Sequence, residues 1–368
     1  MKIKTLEAIP LRIPTKEKYQ MAKGTHQALR TLLVKLTTDS GIIGYGEAHE
    51  GVAGYTYETL EDMCKIVTNY LAPALIGEDI RRTEKIGVIL ESTRTGHNFA
   101  KCAVETAVYD ALGKAMEIPV SLLLGGPIKE EIEIIGGMGI GDVDYMAAKA
   151  QHLVEDGFKT LKIKVGTKQI EEDIKRVQKV REAVGDSIKI RVDANAGYNL
   201  PDALKFLRGI VDLNIEHFEQ PVPGTDLDGM VRIRKISPIP ILADESVHTP
   251  QEAFRAIKAG AVDMIKIKIS KAGGFIKARK IIDLAEAAGI PIILGQGICT
   301  SVESFAEIHL ACSYNNVVPL CEMVGPTKLK SDIAEDGLTI SQGKVQVPKG
   351  PGLGLTVKEE LWSKFLCE

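Results

Sequence analysis

The chain has 368 residues, of which 45% are hydrophobic and 26% charged, and 46 Lys+Arg against 49 Asp+Glu leave a net charge of −3. This is the composition of a folded globular protein, and it carries no basic footprint for nucleic acid or for a membrane surface. Apolar runs such as Ile290 to Leu294 are far below the ~18 residues of a membrane span.

In chain order, Met1-Lys2-Ile3-Lys4 alternates like a strand and lacks the apolar stretch of a signal peptide. Six cysteines, none in a CxxC pair, read as reduced thiols, and the expected compartment is the cytoplasm. Leu32 to Thr37 and Ile42 to Gly44 flank Asp39-Ser40-Gly41, a hairpin turn signal. Helical periodicity follows in Glu58 to Leu71 and in Ala100 to Ala115. These elements make an α+β domain, closed by the punctuation Leu124-Gly125-Gly126-Pro127. Residues 1–126 are therefore expected to form the first unit.

From about residue 131, short apolar strands alternate with amphipathic helices. The strands read are Glu131–Met138, Thr160–Val165, Ile188–Asp193, Ile215–Glu219, Ile239–Asp244, Met264–Lys268, Pro291–Leu294 and Val317–Cys321. Helices such as Gln169–Val184, Pro201–Leu207, Gln251–Ala259 and Ile276–Ala288 lie between them. This alternation predicts an α/β fold with a parallel sheet, and eight strands are the number that closes a barrel. The rival is an open doubly wound sheet, but Gly136-Gly137-Met138-Gly139-Ile140-Gly141 lacks the spacing of a phosphate-binding fingerprint. Residues 127–334 are expected to form the barrel, and 335–368 to pack on the first domain.

Three strands close on an acid: Ile190-Arg191-Val192 on Asp193, Ile215 to Phe218 on Glu219, and Ile239 to Ala243 on Asp244. Each gap is about one βα unit, so the three carboxylates should sit at similar heights on consecutive strands. In a barrel that height is the active-site face. A single strand-end acid can cap a helix or pair with a lysine. Three in register repel one another unless a cation sits between them, and an oxygen-only set favours a hard ion, Mg²⁺ above all.

Lysines flank the acids. Lys162 and Lys164 share one face of the second strand, and Lys266 and Lys268 repeat the pattern on the sixth, half a barrel away. Burial, a neighbouring ammonium and a metal ion all depress a lysine pKa, so each pair can supply a base. The constellation suits removal of a proton alpha to a carboxylate. A divalent cation carries the added negative charge of the enediolate, one lysine takes the proton, and the other returns one to the opposite face.

With these residues in place, the sequence resembles the enolase superfamily, in particular its muconate-lactonizing-enzyme subgroup. The resemblance rests on Gly44-Tyr45-Gly46-Glu47-Ala48, Lys162-Ile163-Lys164, Asp193-Ala194-Asn195, Glu219-Gln220-Pro221, Ala243-Asp244-Glu245-Ser246, Lys268 with Lys271-Ala272-Gly273-Gly274, and Pro351-Gly352-Leu353-Gly354. It implies a modified (β/α)₇β TIM barrel under an α+β N-terminal capping domain, assembled as a homo-oligomer. It also implies Asp193, Glu219 and Asp244 as ligands of Mg²⁺ (Mn²⁺ as a substitute), and Lys164 and Lys268 as the acid/base pair. By the same resemblance Lys162 modulates Lys164 and meets the substrate carboxylate.

Capping-domain loops at about Lys16–His26 and His49–Tyr57 would choose the substrate, with Tyr19, Met21, His26 and Tyr55 as candidates. Cys299, in the loop after the seventh strand, is expected to form a pocket wall. Cys321 and Met323 stand where dipeptide epimerases carry an Asp-x-Asp for the substrate ammonium, which counts against that activity here. The expected partner is a small-molecule carboxylate. The expected reaction is racemisation or epimerisation of an amino-acid derivative. Muconate-type cycloisomerisation, dehydration of a hydroxy acid and a non-catalytic metal-binding barrel are the alternatives.

Overall fold

The computed structural model describes residues 1–22, 24–51 and 58–367. An antiparallel sheet comes first, ordered β1 (Ile3–Met21), β2 (Gly24–Thr38) and β3 (Ile43–His49). Alternation on β2 sends Leu32, Val34 and Leu36 to one apolar core and Leu29 and Leu33 to another. The first core lies under the helices α1 (Leu60–Ile66), α2 (Ala72–Leu75), α3 (Thr83–Thr93) and α4 (Asn98–Ala115). The second is continuous with the rest of the chain, so this sheet is a layer between its own helices and the barrel.

Helix α4 packs unusually close to β3. A Cβ added at Gly44 would lie 2.1 Å from the Ala107 carbonyl oxygen, and one at Gly46 would lie 2.0 Å from that of Ala103. The Gly-Tyr-Gly-Glu-Ala run therefore presents two bare backbone positions to α4 while Tyr45 and Glu47 face the other way. A one-turn helix, α5 (Val120–Leu123), ends this region.

The expected first barrel strand, Glu131–Met138, divides at Ile135 into β4 (Glu131–Ile134) and β5 (Gly136–Met138). From there strand and helix alternate: α6 (Val143–Glu155), β6 (Thr160–Lys164), α7 (Ile170–Val184), β7 (Lys189–Asp193), α8 (Leu200–Ile210), β8 (Ile215–Glu219), α9 (Leu227–Ile236) and β9 (Ile241–Ala243). They continue through α10 (Pro250–Ala259), β10 (Met264–Ile267), α11 (Ile269–Ala272), α12 (Phe275–Ala287), β11 (Ile292–Leu294), α13 (Ser301–Cys312) and β12 (Leu320–Cys321). Strands β5 to β11 form one parallel sheet in sequence order. The ring closes because Ile292 bridges Val317, β12 pairs in parallel with β4, and β4 runs on into β5. This is the expected capped α/β barrel.

The final segment adds β13 (Lys344–Gln346) and α14 (Glu359–Trp362). It binds both units: β13 pairs antiparallel with β4, and Leu366 bridges Leu11. No helix among the described residues is long and apolar enough to cross a membrane.

Candidate active site

Register fixes what the barrel interior presents. Lys164, Asp193 and Glu219 are direct partners across β6, β7 and β8, so their side chains share one inward row. Glu219 pairs with Leu242, and Asp244 follows two residues farther along the same face. One step deeper, Lys162, Arg191 and His217 form a second inward row. The intervening Ile163, Val192 and Phe218 turn outward into the apolar layer beneath the helices. The strands thus carry their hydrophobic faces outward and fill the cylinder with charge.

Asp193, Glu219 and Asp244 are each 0% exposed. The Lys164 ammonium donates to Asp193 Oδ2 and, at 2.7 Å, to Asn195 Oδ1. On the far side, Lys268 donates to Asp244 Oδ2 at 2.7 Å, and Lys271 donates to Asp244 Oδ1 at 2.7 Å. Lys162 lies 2.9 Å from Asp193 Oδ2, and 2.8 Å from Glu219 and from Glu322. Lys266 bonds to Glu219 at 3.0 Å and also to Glu322. Burial of Asp193 and Asp244 opposes their charge. Even so, Lys162, Lys164 and Lys266 hold the first, and Lys268, Lys271 and Lys266 the second, well below the usual carboxylate range. Glu219, pushed by burial and by Asp193, stands at about 7.

Local backbone geometry sets these positions. Strand β8 is followed by Gln220, whose φ is 35°. Its side-chain oxygen accepts from the backbone N–H of Asp244 at 2.9 Å and of Ser246 at 3.1 Å. That amide locks the end of β8 to the turn after β9, which fixes Glu219 and Asp244 relative to one another. Asn195, also at positive φ, receives the Lys164 proton donor and passes its own Nδ2 to Glu245 at 3.2 Å. The other Glu245 oxygen is buried with no hydrogen-bond partner, and burial with Asp244 and Asp193 nearby pushes this group to about 7.

The donor set suits a hard divalent cation: three fully buried carboxylates on adjacent strands, with a partnerless carboxylate oxygen of Glu245 beside them. A second group, His217, Glu219 and Glu322, has ligand-capable atoms within 4.8 Å of one another. Its carboxylates already bind the ammoniums of Lys162 and Lys266. Sharing Glu219 with the triad, it forms with these two lysines an ionic plug that reaches into the deeper row.

Above the triad lies a cavity of about 70 Å³, lined by Lys164, Asn195 and Lys268 on the barrel side and by Tyr19, Met21, His26 and His49 from the capping sheet. Gln296, Ile298, Val324 and Lys328 complete the wall. The β1–β2 hairpin is pinned there by a hydrogen bond from the Ile140 N–H to the Gln20 carbonyl, 2.8 Å. From β3, Glu47 accepts the backbone N–H groups of Thr300 (3.0 Å) and Glu303 (3.1 Å), so the cap supplies a carboxylate to the N-terminus of α13. His49 contacts Glu303 at 2.9 Å; burial opposes its charge, and Glu303 raises its pKa nonetheless.

The structure brings together Lys164, Lys268, Asp193, Glu219 and Asp244, with Lys162 one layer below. Tyr19, Met21 and His26 line the cavity, while Tyr55 lies outside the described residues. Cys299, Cys321 and Met323 do not reach it: all three are 0% exposed, and their neighbours Ile298 and Val324 form the wall instead. In a loop leaving a strand, alternate residues point to opposite sides, and a one-residue offset exchanges lining for core. Sequence reasoning gave no role to Asn195, Gln296 or Lys328, and named His49 only as the start of a capping loop. Asn195 stands two residues after a named acid, but the other three come from loops and from another sheet, where spacing carries no register.

Residues 5–125 match the model of the mandelate racemase/muconate lactonizing enzyme N-terminal domain, and residues 145–361 that of the enolase C-terminal domain-like family. The chain is 36% identical to N-succinyl-L-Arg/Lys racemase of Bacillus cereus, across 98% of this chain and 96% of that protein. The crystal structure of the B. cereus racemase superposes with a TM-score of 0.97 over 100% of this chain and 99% of that one. The 2-chloromuconate cycloisomerase of Rhodococcus opacus superposes equally well, TM-score 0.97, at 30% identity over the whole of both chains. A dipeptide epimerase from Enterococcus faecalis, solved with Mg and L-Leu-L-Tyr, gives 0.92 at 34% identity, over 97% of this chain and 100% of that one. With matched models at both ends and these relatives along its whole length, the chain belongs to the mandelate racemase/muconate lactonizing enzyme family of the enolase superfamily.

Proposed function

We propose that this protein is a Mg²⁺-dependent isomerase that exchanges the proton alpha to a carboxylate and thereby racemises or epimerises an amino-acid derivative. The observation that carries the reading is the pair Lys164 and Lys268. They line one cavity from β6 and from the end of β10, four strands apart, and each is bonded to a different acid of the triad. A base on each face of a bound substrate is what two-way proton exchange at one carbon needs.

Asp193, Glu219 and Asp244 would hold the cation, Mg²⁺ with Mn²⁺ as a substitute. Bound there, it supplies positive charge beside the substrate carboxylate. In this reading Lys164 removes the alpha proton from one enantiomer while Lys268, as an ammonium, delivers one to the opposite face. The roles reverse for the other enantiomer. Asn195 holds the Lys164 amine in line, and Lys271 holds Asp244. Lys162 and Lys266 neutralise Glu219 and Glu322 from below, so the floor of the site carries no excess negative charge against an incoming carboxylate.

Similarity to the cycloisomerase supports a second reading, in which one lysine protonates the enolate formed by ring closure. Incubation with N-acyl amino acids, dipeptides and muconate in D₂O, with Mg²⁺ or with a chelator, separates them by NMR. Racemisation washes deuterium into the alpha position of both enantiomers, and cycloisomerisation labels the lactone alone. Absence of any Mg²⁺-dependent exchange on both the acyl amino acids and the dipeptides would rule out the first reading.

A further inference from the structure

Asp173, on α7, is a buried carboxylate outside both the acid triad and the ionic plug. It stands in the first turn of its helix, where an acid ordinarily serves that helix's own end. Here its oxygens reach elsewhere. Oδ2 accepts the N–H of Gly166 at 3.1 Å, the N–H and hydroxyl of Thr167 at 2.8 and 2.9 Å, and the Tyr198 hydroxyl at 2.7 Å. Oδ1 takes the Arg176 guanidinium at 2.6 Å, and Arg176 is itself tied to the Gly141 carbonyl. A buried charge so fully met by donors is held rigidly in place.

The partners of Oδ2 belong to two loops, and each loop carries one member of the Lys164 end of the site. Gly166 and Thr167 come just after Lys164, at the exit of β6. Tyr198 closes the turn after β7 that presents Asn195, which accepts from the Lys164 ammonium at 2.7 Å. The loops lie backbone on backbone: a Cβ at Gly166 would stand 2.2 Å from the Ala194 carbonyl oxygen, and one at Gly197 2.2 Å from the Gly166 carbonyl oxygen. Asn195 and Ala196 have φ of 43° and 56°. That left-handed backbone is costly for residues with a Cβ and persists only where the surroundings impose it. The Tyr198 hydroxyl on Asp173 imposes it from the β6 side. Lys268 has a separate support, in which the N–H of the next residue, Ile269, donates to Glu307 of α13 at 2.9 Å.

We propose that Asp173 and Tyr198 are positioning residues for one of the two bases. Through the loops after β6 and β7 they hold Lys164 and its acceptor Asn195 against the substrate face that Lys164 serves. The inference rests on the racemase reading and goes beyond it, because it makes the two faces of the reaction separately adjustable. A misplacement of about 1 Å, caused by a change away from the chemistry, can slow a reaction about a hundredfold. Loss of this clamp should displace Lys164 and leave Lys268, anchored through Glu307, where it is.

The test follows N-acetyl-L-phenylalanine and N-acetyl-D-phenylalanine separately in D₂O with Mg²⁺, reading deuterium that enters with retained configuration, a step that needs one base alone. The Lys164→Ala variant marks which enantiomer faces Lys164. Tyr198→Phe should slow retained exchange in that enantiomer about tenfold, and Asp173→Asn about ten- to a hundredfold. Both should leave the other enantiomer within about threefold, a one-sided effect that general loosening of the fold would not produce. Crystal structures of the two variants with Mg²⁺ should show Asn195 and the Lys164 ammonium displaced by about 1 Å and Lys268 in place. Equal slowing of both enantiomers, or an unmoved Lys164, would overturn the assignment. If the wild type exchanges neither enantiomer, the racemase reading fails on this probe and the crystal structures alone decide the positioning role. Should Asp173→Asn not fold, Tyr198→Phe, which deletes only a hydroxyl, carries the test.

Discussion

At the scale of single residues, the site is a balance of buried charges in which the ammoniums of Lys162, Lys164, Lys266, Lys268 and Lys271 each meet a carboxylate. Lys164 and Lys268 are 9% and 6% exposed, on different acids, and each serves one face. Replacing either by Ala should cut racemisation about a thousandfold. The surviving lysine should still exchange the proton on its own side, so Lys164→Ala and Lys268→Ala should wash deuterium into opposite enantiomers. Chiral chromatography with mass detection checks this, and the same enantiomer labelled by both variants would remove the two-base assignment. The acids and these lysines were legible in the sequence because strand-end position is a property of the chain. Glu322 had no role assigned from the sequence. Its role, binding Lys162 and Lys266 across the barrel, depends on a closure that no spacing reveals.

At the scale of elements, two glycines decide how the cap is built. Gly44 and Gly46 let α4 lie on β3 with backbone carbonyls where a Cβ would be. Gly46→Ala places a methyl 2.0 Å from the Ala103 carbonyl and 2.6 Å from the Ala107 nitrogen, so the helix must move. Stability should fall by about 3 kcal/mol, read from urea unfolding. An unchanged midpoint would mean that α4 is not held against β3 as described. Sequence periodicity located α4 and the barrel helices α7, α10 and α12 to within a residue or two, since their apolar stripes repeat at 3.6, and it stopped α8 three residues short. It treated Glu131–Met138 as one strand. The chain changes partners at Ile135, with β4 serving β12 and β13 and β5 serving β6, because a closing ring must join sheets that the local pattern cannot distinguish. It also read Glu58 to Leu71 as one helix, where α1 gives way at Val67 to a wider π turn ahead of Pro73.

At the scale of the whole molecule, one imidazole ties three parts together. His309 on α13 accepts the Ser121 N–H of α5 at Nδ1, 3.3 Å, and its Nε2 donates to the Leu353 carbonyl of the final segment, 3.1 Å. Both bonds need the neutral ring, and burial lowers its pKa to about 4 from an ordinary value near 6.5. Because the folded state resists protonation more than the unfolded chain does, this residue's contribution is intact above about 6.5. It falls away as the pH drops toward 4. His309→Asn should therefore shrink the loss of unfolding free energy between pH 7 and pH 4.5 by about 2–3 kcal/mol. A wild-type-like pH slope in that variant would show that the clasp does not titrate. The final segment was expected on the capping domain, where Leu366 meets Leu11; β13 on β4 and Leu353 at His309 tie it to barrel elements as well.

By itself the sequence determined the βα alternation, the three acids at strand ends, the lysines two residues apart and the charge balance. Each of these is local, written into periods of 2 and 3.6 residues and into the punctuation between them. Tertiary structure alone decided which loops wall the cavity: that Ile298 and Val324 face it and Cys299, Cys321 and Met323 do not, and that His49 arrives from another sheet to meet Glu303. Those outcomes follow from ring closure and from the docking of the cap, which bring together residues more than 250 positions apart. Loop direction has no period, so only the packed chain can set it.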